Sequence, residues 1–561
     1  MQIFGQIPQH YSASLQKLDV VAAWVQGKDG QRSEVPADRI LEQQSPQSAG
    51  APMFSDGRVK TIVFPGVEPG SVLHVHTRRT QVKPMFEGQF SMIEMPPPIV
   101  DVKLATITLQ APATMQLHVD AQQFSGGAVA APAAGVQTWR WEVKDLTAMP
   151  MEAGASAAQD QGPRLAVTTF ASDQAAATAY AARALPMAAV TPALQALAND
   201  ITQGQTDPRA MADAIYRWVA ANVRYVAIFM DIGGVVPHSA DEIAKARYGD
   251  CKDHTTVLAA LLKAKGIASS PVLVNADLRY WKPAVAVTPG IFNHAILHVP
   301  SLGVYLDSTT GLASFGALPI PLRGKPALVV DAGKGKAQAV TLPLAAPATE
   351  RVRTMTTLKL DAQGNVQGEA EVVNEGLFGL LTRQIMTSIP PGAEAQVAGQ
   401  VLSMTGQNGS GSFTRGEPRD LTRPHRYTSQ FTLPSYVQLP GPGAFVVPAG
   451  FGSFASIAAT FELLGPAERQ LPMPLLGKRV EEVTTLQWPA GFKPTAVPRD
   501  AQIDWTHGRY TVKVLAEATQ LTITRVLELT PPGPQLRPQD YPAFRQFGQA
   551  VMRDLRAQVV Y

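Results

Sequence analysis

The stretch Arg247-Tyr248-Gly249-Asp250-Cys251-Lys252-Asp253-His254-Thr255-Thr256 decides how this chain is read. Just after it, Val257, Leu258, Leu261 and Leu262 recur at helical spacing, and Gly266 stands where a glycine ends a helix. The spacing predicts a helix to about Lys265 with Cys251 in its first turn. At that end the backbone amides lack intrahelical acceptors and the helix dipole is positive. A thiolate is stabilised there, and an oxyanion beside it can be held. Cys251 is also the one cysteine in 561 residues. A single thiol excludes an intrachain disulfide, a paired-cysteine zinc site and a cysteine-ligated iron–sulfur cluster. A buried inert thiol, an intermolecular disulfide and a nucleophile remain, and the polar, charged flanks count against the first.

A cysteine nucleophile needs a base, and the base needs an orienting group. Four of the ten histidines lie between His238 and His298. Asn293 to Val299 reads as a strand with His294, Ile296 and His298 on one face. Pro300-Ser301-Leu302-Gly303 reads as a turn, and Val304 to Asp307 as the returning strand. If Val299 pairs with Val304, Asp307 lies diagonal to His294 on the same face, within the ~7–8 Å of diagonal neighbours. A slip of one residue would send Asp307 to the other face. Cys251, His294 and Asp307 are therefore the candidate nucleophile, base and orienting carboxylate. His254 and His298 read as structural or rim residues. Asp250, Cys251, Asp253 and His254 match no zinc spacing, so no metal is assigned. The chain also lacks a Gly-x-Ser-x-Gly elbow and a phosphate-binding loop.

A cysteine in Gly-Asp-Cys-Lys-Asp opening a helix, a histidine on a strand about 40 residues later, then Asp307-Ser308-Thr309 resembles the bacterial transglutaminase-like superfamily. Tyr216-Arg217-Trp218-Val219, Pro237, Ala240 and Val272-Leu273-Val274 fit the same pattern, over roughly residues 205–310. Phe64-Pro65-Gly66-Val67-Glu68-Pro69-Gly70-Ser71 resembles the β domain of unknown function that precedes the core in many secreted or periplasmic members. The resemblance implies a papain-like α+β core whose relatives include transglutaminases, peptidases, amidases and inactive copies. It implies no cofactor, a peptide, protein or other amide-bearing substrate, and a periplasmic or secreted location. It also implies a second oxyanion donor upstream of the cysteine. Tyr225 is the candidate, with Trp218, which also reads as core, beside it. Two classes stay open: a cysteine-dependent amide hydrolase or acyltransferase, and an inactive scaffold or binding protein.

The rest of the chain frames this core. At ~150 residues per domain the length suggests three to four domains. Lys+Arg 48 against Asp+Glu 45 leaves a net charge of +3 with no basic cluster, which argues against a nucleic-acid partner. Residues 1–168 read as a β-sandwich or a related antiparallel fold of short strands such as Val59–Phe64, Val72–Thr77 and Leu104–Leu109. Turns such as Lys28-Asp29-Gly30 and Ser55-Asp56-Gly57 separate them, and the Ala/Gly-rich stretch Phe124 to Val136 reads as a loop. Residues 169–335 form the core, with N-caps at Thr191 and Asp207, each followed by a first-turn proline. Residues 345–530 read as a second β-sandwich, opening on a hairpin around Asp361–Asn365. Residues 531–561 read as a terminal helix capped by Asp540, with Phe544, Phe547, Val551 and Leu555 on one face. The longest uncharged stretch, Tyr427 to Phe461, is broken by prolines and glycines, so no transmembrane segment is expected. Met1-Gln2-Ile3-Phe4-Gly5-Gln6 does not read as a secretory signal, and a leader already removed stays open. The expected architecture is multidomain α+β.

Overall fold

A computed structural model describes residues 5–45, 57–129, 135–226, 234–286, 291–450, 455–462 and 464–561. Residues Met1–Phe4 and the Ser55-Asp56 turn lie outside these. The amino-terminal part is built from three-stranded antiparallel sheets, with long pairings joining Gln16–Gln26 to Val72–Gln81 and Val102–Pro112 to Val136–Leu146. Ser125–Ala128 is a strand within the Ala/Gly-rich stretch, where the sequence suggested a loop. Its Gly126 sits so close to the partner strand that a Cβ would lie 2.1 Å from the Arg140 carbonyl oxygen, and its φ is +119°. Glycine there serves close strand approach rather than a turn.

The core begins with helices α1 (Asp173–Ala184), α2 (Pro192–Ile201) and α3 (Pro208–Asn222). Thr191 and Asp207 cap α2 and α3, accepting from the amides of Leu194 (3.2 Å) and Ala210 (2.8 Å). Helix α4 (Ala240–Ala246) follows, then α5 (Cys251–Ala264). Helix α5 ends as its sequence requires: Gly266 has φ +73°, and Ile267 donates its amide back to Leu262. Behind α5 lies a five-stranded antiparallel sheet in the order 304–306, 294–299, 270–274, 326–329, 338–341. Ser270–Val274 is buried at every residue, as a central strand covered on both faces must be.

The carboxy-terminal part carries an eight-stranded sheet. Arg351–Leu360 alternates exposed and buried residues without a break, and its hairpin with Val366–Asn374 turns at Asp361–Asn365 as expected. The sequence suggests a β-sandwich over residues 345–530. The structure instead packs two unexpected helices into the core of the large sheet, α6 (Gly376–Ser388) and α7 (Glu394–Met404), beside the expected terminal helix α8 (Tyr541–Asp554). Neither α6 nor α7 has a side-chain N-cap, so the signal that marks a helix start is missing from both. Asp540 stands at the N-cap position of α8 as expected, but its carboxylate bonds Arg537 (2.8 Å) and no helix amide. Phe544, Phe547 and Val551 are buried on the face the spacing indicated. Among the described residues no helix is long and apolar enough to cross a membrane.

Candidate active site

The start of α5 is fixed by its own sequence. Asp250 is extended (φ −93°, ψ −169°), and its carboxylate accepts from the amides of Lys252 (3.1 Å) and Asp253 (3.2 Å). Asp253 accepts from the Asp250 amide in return (3.2 Å), which completes a capping box. None of these bonds uses the Cys251 amide. Asp253 also accepts the His238 amide (2.9 Å) and faces that ring's Nδ1 at 3.2 Å. The Lys252 ammonium pairs with Asp250, and both groups are buried. A Cβ on Gly249 would fall 2.6 Å from that of Asp253, so the glycine allows the approach that the box needs. Gly249 in turn pairs in a short parallel ladder with Tyr225.

Cys251 is 1% exposed, in an apolar cluster with Tyr180, Phe292 and, from the amino-terminal part, Phe86. The sequence reading took the polar flanks as a sign against burial. The flanks are buried as well, because Asp250, Lys252 and Asp253 satisfy one another. Thr255 ties the helix to the neighbouring strand, its hydroxyl meeting the carbonyls of Cys251 (2.9 Å) and Ala295 (3.2 Å). That strand, His294–Val299, pairs with Val304–Leu306 in the expected register, Val299 opposite Val304.

The register brings His294 Nε2 to 3.1 Å from Asp307 Oδ2, and the ring is also hydrogen-bonded to the Cys251 thiol. With Nε2 on the carboxylate, Nδ1 is the nitrogen left for the sulfur. Asp307 Oδ1 accepts from the Thr309 amide (3.0 Å) and hydroxyl (2.7 Å). The Asp307 carbonyl accepts from the Tyr216 hydroxyl on α3 (3.0 Å), which also meets the Ala313 carbonyl (3.0 Å). Burial alone pushes His294 down, but the Asp307 charge and hydrogen bond, with the thiol's, raise it to about 10. Burial pushes Asp307 up; His294 and the two Thr309 bonds outweigh it and hold the carboxyl below its ordinary range. At neutral pH the pair is imidazolium and carboxylate.

The remaining candidates fall in different places. Tyr225 stands edge-on to His254 (centroids 5.8 Å), and burial, then the charges of Cys251, Asp250 and Asp307, raise its phenol. It stays protonated and able to donate. Trp218 packs with the α3 core, its ring under the Arg247 guanidinium at 4.6 Å. His254 is bonded through Nδ1 to Ser308 (2.9 Å), and burial lowers it to about 4, so it is neutral. His298 stacks on Tyr305 at 4.5 Å. The sequence assigns no role to Tyr216, Thr255 or Thr309, although Tyr216 and Thr309 stand in the motifs that carry the resemblance. Thr309, two residues after an aspartate, carried a local turn signal, whereas the Tyr216 partner lies 91 residues away.

Asp307→Asn is expected to return His294 toward the ordinary ~6.5 of an imidazole. The sign follows from the raised value: in wild type the imidazolium persists through neutral pH and is lost only as pH rises through about 10, whereas in the variant it is lost near ~6.5. NMR titration of the ring in wild type and variant reads this directly. An unchanged midpoint would show that Asp307 does not set the charge.

Such a site on an antiparallel sheet behind a capped helix defines the class. Residues 195–300 match the model of the transglutaminase-like superfamily, residues 1–150 a domain of unknown function, DUF3857, and residues 446–561 another, DUF3858. The chain is a multidomain α+β protein with a transglutaminase-like core flanked by β-rich domains. No curated protein matches the sequence. Among solved structures it is similar to a protein of Parabacteroides distasonis provisionally named a protease. The TM-score is 0.72 at 15% identity, covering 99% of this chain and 91% of that one, so the likeness is one of fold. It also matches a protein of Cytophaga hutchinsonii provisionally named a cysteine protease, at TM-score 0.19 and 13% identity. That match covers 39% of this chain and 71% of the other, and a score so low carries no weight.

Proposed function

We propose that the protein is a cysteine-dependent amide hydrolase acting on peptides through a thioester on Cys251. The hydrogen-bonded run Cys251–His294–Asp307, held from helix, strand and loop, carries this reading. The Cys251 thiolate attacks the amide carbonyl carbon. His294 gives its Nδ1 proton to the leaving amine as the C–N bond breaks, and a thioester remains. Neutral His294 then takes a proton from water. The hydroxide adds to the thioester and the C–S bond breaks, leaving a carboxylic acid, the thiolate and the imidazolium; the acid then releases its proton to solvent as it becomes a carboxylate. Asp307 holds the ring through Nε2 throughout. The Cys251 amide and the Tyr225 hydroxyl are assigned to the oxyanion.

Water is favoured over an amine as acceptor because it is present at far higher concentration unless a site excludes it. A peptide library treated with wild type in H₂¹⁸O tests both steps. One ¹⁸O per new carboxylate is expected; products joined to an added amine instead would make the enzyme a transglutaminase, and no product at all would favour a scaffold. Tyr225→Phe is expected to lower kcat about 10²-fold with little change in KM, as loss of one oxyanion donor does. A loss confined to KM would place Tyr225 in binding. The resemblance, and a chain with a single cysteine, support a periplasmic or secreted location, which cell fractionation would check.

A further inference from the structure

We infer that a cleft between the core and the carboxy-terminal sheet binds a short extended peptide with a free carboxylate, apart from Cys251. The cleft measures about 800 Å³ and is lined by residues from α3, from the loop after Asp307 and from the 366–374 strand and α6. Four carboxylates and four arginines line it, so it suits a chain carrying both charges rather than a polyanion.

Two of its buried side chains are incompletely hydrogen-bonded. Asn374 is 1% exposed, yet neither its carboxamide oxygen nor its nitrogen has a hydrogen bond. Arg383 is 1% exposed and its Nε has none. The Arg383 Nη atoms reach only neutral oxygens: Ser314 Oγ (3.5 Å) and the carbonyls of Asp420 (3.1 Å) and Arg423 (2.7 Å). Among the described residues, then, a buried guanidinium stands with no carboxylate bonded to it. The two residues are neighbours, since a Cβ on Gly379 would lie 2.9 Å from Arg383 Nη1 and 3.1 Å from the Asn374 carbonyl. Buried polar groups are almost always satisfied, so two exceptions in one cleft mark what a ligand must supply.

Their chemistry defines that ligand. A carboxamide offers one acceptor oxygen beside two donor hydrogens. A residue in extended conformation presents its own N–H and C=O on the same side, and matches that pair. A guanidinium prefers a carboxylate to neutral oxygens, and the Nε–H of Arg383 is the donor left to hold one. The loop from Asp307 through Ala313 to the cleft residues Ser314 and Phe315 is pinned by Tyr216, so a bound peptide abuts the segment that carries Asp307.

Calorimetry of trialanine against the full chain carrying Cys251→Ala tests the assignment without turnover. One site is expected, weakened at least tenfold by capping the peptide carboxylate as an amide, and at least tenfold by adding Asn374→Leu. Should that variant fail to fold, Asn374→Asp keeps the size, sets a charge against the carboxylate and should give the same loss. No binding at millimolar peptide, equal binding by the Asn374 variants, or equal competition by inorganic phosphate would overturn it. Peptide held at Cys251 instead would be indifferent to Asn374, so the two sites are separable.

Discussion

Cys251→Ala should leave a folded protein that cleaves no amide, with kcat reduced by at least ~10⁴-fold against any peptide the wild type accepts. The expectation follows from the proposed chemistry: without the sulfur no thioester forms, and only binding and oxyanion contacts remain. His294→Ala should fall by a comparable factor, and the double variant scarcely further, because residues acting as one unit are not additive. The side chain removed is small and in apolar surroundings, so the thermal transition should move little. Steady-state rates on purified full-length variants, with circular dichroism melts beside them, check this. Residual cleavage above a hundredth of wild type in Cys251→Ala would place the nucleophile elsewhere.

The second large effect is on stability. Asp250→Ala removes the acceptor for the Lys252 and Asp253 amides, a cap contributing about 1 kcal/mol. It also strips the Lys252 ammonium, 3% exposed, of its carboxylate partner. Leaving one member of a buried pair uncompensated costs about 3–5 kcal/mol, a large share of the 5–15 kcal/mol that holds a typical domain. Urea denaturation followed through the core's transition should show a loss of this order. Adding Lys252→Met should recover most of it, since the stranded charge dominates. A loss near 1 kcal/mol, unchanged by Lys252→Met, would mean that the cap alone matters.

The site was readable because its placement is local. A capping box with Gly266 beyond it fixes α5, and alternation around the Pro300–Gly303 turn fixes the strand register to the residue. What escaped was non-local or unsignalled. The Tyr216 hydroxyl serves a carbonyl far along the chain, α6 and α7 begin without caps, and Asp540 has a nearer partner in Arg537. The burial of Lys252 and Asp253 belongs to the same kind: charged residues read as exposed until their partners are known. Asn374 closes the 366–374 strand, and the burial of its unpaired carboxamide comes from the packing of α6 against that strand, which no local pattern encodes.

The central claim is that His294 activates the Cys251 sulfur. The most direct measurement is the rate of carbamidomethylation of Cys251 by iodoacetamide at pH 7, read by mass spectrometry on the intact native chain. Wild type, His294→Ala and Asp307→Asn are compared, with each denatured chain as the reference for an unassisted thiol. The native wild-type rate should exceed that of His294→Ala by at least tenfold, with Asp307→Asn between them. Equal rates in all three native chains would contradict it.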